Sequence, residues 1–266
     1  MFKVALYLLI AVILAIFLLP FVYTISPYQL DPTKILQAPS FEHLFGTDRL
    51  GRDMFARVLN GGQTSLIIGF LAASISSIVG LFIGINAGYF KGNIDKSITI
   101  AIDLFLTFPT FFLLLALVSY IQASAVILII VISITGWMGM ARMIRSESFA
   151  IGNKPFIKIL KVANVSTFKI IFKYFAPLLA PIFLISFTFG VGGSILAESG
   201  LSFLGLGINP PSMSWGSLLS DGKAVIDIAW WVSFFPGLMI FLITFCLIQI
   251  SDYLQGLANK KEIIQN

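Results

Sequence analysis

Cysteine and histidine occur once each, at Cys246 and His43, in a chain of 266 residues. A single cysteine excludes an intrachain disulfide, and a single histidine leaves no cluster with zinc or nickel ligand spacing, so the residues predict no metal site. Charge is the second scarcity: Asp, Glu, Lys and Arg make up 11% of the chain, against about 25% in soluble globular proteins. Together with 58% hydrophobic residues and a mean hydropathy of +0.98, this excludes a water-soluble enzyme. No G-x-x-x-x-G-K-[ST] nucleotide loop is present, because Gly222-Lys223 lacks both the earlier glycine and the following hydroxyl. Bases outnumber acids 17 to 12, a net charge of +5 that suits either nucleic acid or a membrane until its placement is known.

What the chain has is long uncharged runs. A membrane-spanning helix needs about 20 apolar residues, at a rise of about 1.5 Å each. Such runs occupy residues 4–25, 58–90, 104–141, 174–197 and 228–251. The third would reach about 57 Å as one helix, so it is expected to fold into two spans with a turn near Gln122-Ala123-Ser124. The sequence thus predicts an all-α membrane protein with six spans: 1–25, then about 64–90, 97–121, 126–144, 174–198 and 228–251. Residues 26–60 form an extracytoplasmic segment, 142–176 a long cytoplasmic loop, 199–227 an outer segment and 253–266 a cytoplasmic tail. Lys3 followed by an apolar stretch resembles a secretion signal, but the stretch is long for one and no small-x-small cleavage site precedes Pro27, so an uncleaved first span is expected. Pro20 is tolerable near its outer end.

A further uncharged run, 199–220, carries Gly200, Gly205, Gly207, Pro210, Pro211 and Gly216. Irregular backbone facing lipid would leave amide groups unpaired, so this run reads as a loop or re-entrant segment packed on protein. With both termini inside, the inner segments hold 12 Lys and Arg and the outer ones 5, which follows the positive-inside rule. The net charge then divides into about +7 inside and −2 outside. Membrane orientation therefore accounts for the basic surplus, and no nucleic-acid partner is implied.

Three places carry candidate function. Gly46-Thr47-Asp48-Arg49-Leu50-Gly51-Arg52-Asp53 alternates acid and base within a turn, which reads either as a compact ion-paired device or as a solvated loop with weak surface pairs. In the loop 142–176, Asn153 is placed to cap a helix starting at Pro155. Phe156, Ile159, Leu160 and Ala163 then recur at helical spacing, with Lys154, Lys158 and Lys161 on another face. Such a helix either rests on anionic lipid or docks into the groove of a cytoplasmic partner. Phe168, Phe172 and Phe175 continue the pattern to Pro177, where the fifth span is expected to begin. Asp103 reads as an interfacial acid paired with Lys96 or Arg142, whereas Glu198, with Ser199 and Ser202 beside it, is a candidate to face a translocation cavity.

The 46–53 motif, followed by Gly62 and Ser65-Leu66, resembles the segment before the second span in permeases of dipeptide, oligopeptide and nickel ABC importers. Ala197-Glu198-Ser199-Gly200-Leu201-Ser202-Phe203-Leu204-Gly205-Leu206-Gly207, then Pro210-Pro211 and Ser214-Trp215-Gly216, resembles that family's segment between spans five and six. The likeness runs from about residue 40 to residue 252 and is strongest to the shorter, C-type subunit. It implies the type I ABC importer permease fold and a bacterial inner-membrane location. It also implies a second related permease, two cytoplasmic ATPase subunits that bind ATP and magnesium, and an external binding protein, with no cofactor and no catalysis in this chain. The loop 142–176 would be the coupling element, so Phe156, Lys158, Ile159, Leu160, Ala163, Asn164 and Pro177 become its candidate contacts. There the sequence departs from the family, which carries Glu-Ala-Ala, then Gly, and ends in Leu-Pro; here stand Lys158-Ile159-Leu160, Asn164 and Ala176-Pro177. Asn suits the Gly position because it tolerates left-handed backbone angles. Peptides are the leading substrate class, nickel or another metal chelate the alternative. A passive channel or an intramembrane enzyme is remote, since Asp103 and Glu198 lie toward opposite faces and form no pair.

Overall fold

The computed structural model describes residues 2–121 and 123–265, with side chains through residue 258. Among the described residues its long regular elements are all helices, in the order α1 (Phe2–Val22), α2 (Met54–Phe90), α3 (Gly92–Leu106), α4 (Thr110–Ser119), α5 (Ala125–Asn153), α6 (Pro155–Val162), α7 (Thr167–Ile170), α8 (Ala176–Phe203), α9 (Trp215–Lys223) and α10 (Trp231–Gln265). Five runs are long and apolar enough to cross a membrane: Phe2–Val22, Met54–Phe90, Ala125–Asn153, Thr167–Phe203 and Trp231–Ala258. The sixth is a broken pair, α3 and α4, bent by 77°.

That bend falls within the third span, expected over about 97–121. The chain breaks at residues 107–109, because Pro109 cannot supply the amide that would continue α3. The expected turn at Gln122-Ala123-Ser124 falls partly on Gln122, which lies outside the described residues. Ser124 caps α5, its hydroxyl accepting from Ile127 N–H at 3.3 Å.

The helices also run past the expected span limits. Helix α10 continues through the tail, and the fifth span starts at Thr167, ten residues before Pro177. A π-helical turn, Ile171–Phe175, joins α7 to α8, and the Ala176 N–H reaches back to Ile171 C=O. This wider turn sits immediately before Pro177, whose missing amide breaks the normal ladder.

The core helices are α2 and α5, which pack extensively along their length. Gly80, Gly84 and Gly88 recur every fourth residue on α2, and a β-carbon on them would fall 2.8, 2.7 and 2.7 Å from the carbonyls of Trp137, Ala141 and Arg145. Small residues here let two backbones approach where lipid provides no hydrophobic drive for association. Ser76 Oγ donates to Ser133 C=O at 3.3 Å, tying the same pair, while Ser133 Oγ gives its proton to Ile129 C=O at 2.6 Å within α5.

Two apolar clusters close the bundle at its ends. At one end Ile157 of α6 and Phe175 pack with Ile85, Tyr89 and Ile144. At the other, Met54 and Val58 of α2 pack with Trp215 and Leu218 of α9 and with Trp231. These are called the α6 end and the α9 end below.

Candidate functional site

At the α9 end Gly46, Thr47, Asp48, Gly51 and Asp53 of the motif are buried while Arg49 and Leu50 are exposed, so its acids are held inside rather than solvated. Asp48 is 2% exposed. Its Oδ1 accepts from Leu50 N–H at 2.8 Å and Arg52 N–H at 3.0 Å, and its Oδ2 from Arg52 Nε at 2.7 Å. Arg57 stands between Asp48 and Asp221 and donates to the latter at 3.0 Å. Asp53 caps α2 through Ala56 N–H at 2.8 Å, while its other oxygen meets His43 Nδ1 at 2.8 Å and the Tyr23 hydroxyl at 3.0 Å. Thr47 bridges to Asp53, exchanges bonds with Gln37, and accepts from Trp231 Nε1 on its carbonyl at 3.1 Å. Gly51 has φ +71°, and a β-carbon there would stand 1.8 Å from Asp31 C=O, so only glycine fits. Gly46 is held likewise, at φ +73° against Gln37 C=O and the Trp231 ring. The motif is thus a clasp joining the segment after α1 to the heads of α2 and α10 and to α9. A cleft of about 320 Å³ opens beside it, lined by Asp48, Arg49, Leu50, Arg52, Asp221 and Val232.

Glu198, Ser199 and Ser202 do not face a cavity as expected. Glu198 is 0% exposed, and both serines are buried with it. Its carboxylate accepts from Ser202 Oγ at 2.7 Å, Ser65 Oγ at 3.0 Å and Ser199 Oγ at 3.5 Å. Among the described residues none of the ion pairs includes it. The expected outer loop divides: 199–203 finish α8, 204–214 are irregular, and α9 follows with a capping box at Ser214 and Ser217. Gly216 lies against Ser199, its β-carbon position 2.6 Å from the Ser199 carbonyl oxygen.

At the α6 end the short helix forms with Pro155 at its first position, but Lys154 occupies the cap and makes no side-chain bond. Asn153 instead ends α5, and its side-chain oxygen accepts from Lys91 Nζ at 2.6 Å. The apolar face is also divided differently from the expected set. Ile157, 0% exposed, anchors the helix with half-buried Leu160, whereas Phe156, Ile159, Val162 and Ala163 point outward, Ile159 at 67% exposed. Lys158 is exposed and Lys161 Nζ lies 4.1 Å from the Tyr89 ring centroid. The helix ends in a Schellman motif: Val165 N–H reaches Leu160 C=O at 3.1 Å and Asn164 N–H reaches Lys161 C=O at 3.1 Å, with Asn164 at φ +54°. Asn164 therefore does occupy the left-handed position that suits Gly.

Two acids near this end, Asp103 and Asp95, are paired. Arg142 binds Asp103, one of the two expected partners, and Arg145 grips Asp95 with one bidentate edge, Nε to Oδ1 and Nη2 to Oδ2, the latter at 2.8 Å. These pairs hold α3 to α5. No sign of the Asp95–Arg145 pair, or of the parts played by Arg57 and Trp231, is legible in the sequence, which marks Trp215 only as a member of the 197–216 motif. Trp215 Nε1 donates to Val58 C=O at 3.0 Å, and its ring lies against Gly62, whose β-carbon position is 2.8 Å away. The Gly80, Gly84 and Gly88 stripe was legible as two overlapping G-x-x-x-G patterns in an apolar run.

Comparison with known proteins gives this arrangement its relatives. Residues 80–261 match the family described as binding-protein-dependent transport system inner membrane component. The oligopeptide transport system permease protein OppC of Haemophilus influenzae is 33% identical over 253 residues, covering 94% of this chain and 81% of that protein. The OppC of Mycobacterium bovis is 37% identical, covering 86% and 78%. The dipeptide transport system permease protein DppC of Alkalihalophilus pseudofirmus is 36% identical, covering 94% and 82%. Among solved structures, a chain of the MetNI methionine ABC transporter superposes with a TM-score of 0.58 at 15% identity, over 76% of this chain and 97% of that one. The last likeness establishes the fold, that of a type I importer permease.

Proposed function

The chain belongs to the family of binding-protein-dependent transport system inner membrane components, and from that premise we propose that it moves di- and oligopeptides across the bacterial inner membrane by ATP-driven alternating access. As a permease subunit it is a multi-pass membrane protein without catalytic activity of its own. The observation that carries the peptide reading is its identity of 33 to 37% to oligopeptide and dipeptide permeases over most of its length.

In this reading the α6 end faces the cytoplasm and both termini lie there, in keeping with the basic residues gathered on 142–176. The outward face of α6, with Phe156, Ile159 and Ala163, docks in the groove of one ATPase subunit, which holds the ATP and magnesium. Ile157 and Leu160 fix the helix to this chain from the other side. A second related permease completes the path, another ATPase serves it, and an external binding protein delivers the peptide at the α9 end. Closure of the ATPases on ATP favours one of two permease states, which is how nucleotide drives the exchange of access. The buried acids of the clasp, Asp48 and Asp53, and the Glu198 cluster lie inside this chain, and their part in transport is to hold shape.

A strain lacking this gene tests the substrate, with labelled dipeptide and nickel ions offered in parallel. Loss of peptide uptake with nickel uptake intact is expected; the opposite pattern overturns the peptide assignment in favour of metal-chelate import.

A further inference from the structure

Glu198 is a buried acid that neither the docking of α6 nor the path between permeases requires. Its surroundings are built of donors whose directions are fixed by the backbone. Ser202 Oγ accepts from Ile208 N–H at 3.2 Å and from Ser214 Oγ at 3.3 Å, so its two lone pairs are taken and its single proton turns to Glu198. Ser65 Oγ accepts from Trp215 N–H at 3.1 Å and gives its proton to the other carboxylate oxygen. One side chain thereby gathers α2, the end of α8, the 204–214 segment and the head of α9. Contact is close as well as polar: a β-carbon on Gly207 would stand 1.8 Å from Ser202 Oγ.

The same helix reaches the other end of the molecule. From Thr167 to Phe203 it is helical for 37 residues, about 55 Å at 1.5 Å per residue. Its first residue follows the Schellman turn of α6 by one position, Ser166. Glu198 is therefore the joint at the far end of a rod whose near end carries the docking helix.

We propose that Glu198 is a positioning residue for transport: gripped by Ser65 and Ser202, it locks the Thr167–Phe203 helix to α2 and to the 204–214 segment, so that displacement of α6 arrives at the opposite end as movement of one rigid body. The proposal rests on α6 being the ATPase-docking element. An amide at position 198 presents a donor to hydroxyls already committed as donors, and alanine at 202 removes the shortest bond while leaving the carboxylate and the packing of α8 in place.

The test uses the whole importer, with both permeases, both ATPases and the binding protein, in liposomes. Ser202→Ala and Glu198→Gln are expected to hydrolyse ATP within about twofold of the parent while moving at least about tenfold less peptide per ATP, a loss in the usual range for one bond to a charged group. A second readout needs no substrate: spin labels at positions 120 and 226, both exposed, in a Cys246→Ser background. Their separation is expected to change on adding ATP in the parent and to stay fixed in both variants. Unchanged peptide per ATP in both variants, an ATP response of the labels that survives in them, or one that is absent in the parent overturns the proposal. Failure of both variants to assemble also overturns it, because the cluster then serves folding alone. A parent that moves no peptide but shows the label response counts against the substrate assignment and leaves the joint to be judged by the labels.

Discussion

Arg57 and Asp48 form a buried ion pair, Nε to Oδ2 at 3.3 Å, with each side chain 4% exposed. The same guanidinium donates to Asp221 on α9, 164 positions away, whose side chain is 49% exposed. The two acids hold one base from environments that differ greatly in access to water, and the clasp at the α9 end depends on them unequally.

Asp48→Asn leaves a buried guanidinium with its inner partner gone and is expected to destabilise the protein by about 3 kcal/mol. Asp221→Asn removes a half-exposed partner that water can replace, and less than about 1 kcal/mol is expected. Unfolding in detergent micelles, followed by tryptophan fluorescence, compares the two; equal losses would show that burial does not set the difference.

Gly84→Ala puts a methyl group 2.7 Å from the Ala141 carbonyl and 2.8 Å from Ile144 Cβ, both parts of a rigid helix. A loss of about 1 to 3 kcal/mol is expected from overpacking. Gly139→Ala, with nothing within 4 Å of the new carbon, is expected to gain up to about 1 kcal/mol from helix propensity. The same unfolding measurement decides, and opposite signs are the expected result.

Asn164 stands at φ +54°. Asn164→Gly is expected to be neutral or mildly stabilising, whereas Asn164→Ala forces a β-carbon into left-handed backbone and costs about 1 to 2 kcal/mol. Proteolysis of the 154–166 segment reads this locally: faster cleavage in the alanine variant alone is expected.

Ile159→Asp changes an exposed position and is expected to reduce co-purification of the ATPase subunits at least about tenfold, with the melting temperature of the permease unchanged. Ile157→Asp places a charge in the cluster with Tyr89 and Phe175 and is expected to lower that temperature as well. If Ile159→Asp leaves association intact, α6 does not dock through this face.

Much of this was legible in the residues. Charge gaps located the spans, because a chain with so few charges must place them at the ends of its helices. The left-handed backbone at Asn164 followed from the chemistry of Asn against Gly. The inward and outward faces of α6 were harder to separate: Phe156, Ile157, Ile159 and Leu160 are all apolar, and only the neighbouring Tyr89 and Phe175 decide that Ile157 is the anchor. The kink at residues 107–109 is marked by Pro109, a signal that the uninterrupted apolar run around it masks. The burial of Glu198 was not legible, because Ser65, which donates to it, and Ser214, which reaches it through Ser202, lie on other elements, and serine gives no periodic signal of its own.

We propose import of peptide driven by ATP through a permease coupled at α6. Its most direct test is accumulation of a labelled oligopeptide in liposomes carrying the complete importer, with ATP inside the ATPase-facing compartment and the binding protein on the other side. Accumulation that requires both, and that is lost in Ile159→Asp, is the expected result. Accumulation of nickel without peptide, or peptide entering equally well without ATP, would contradict it.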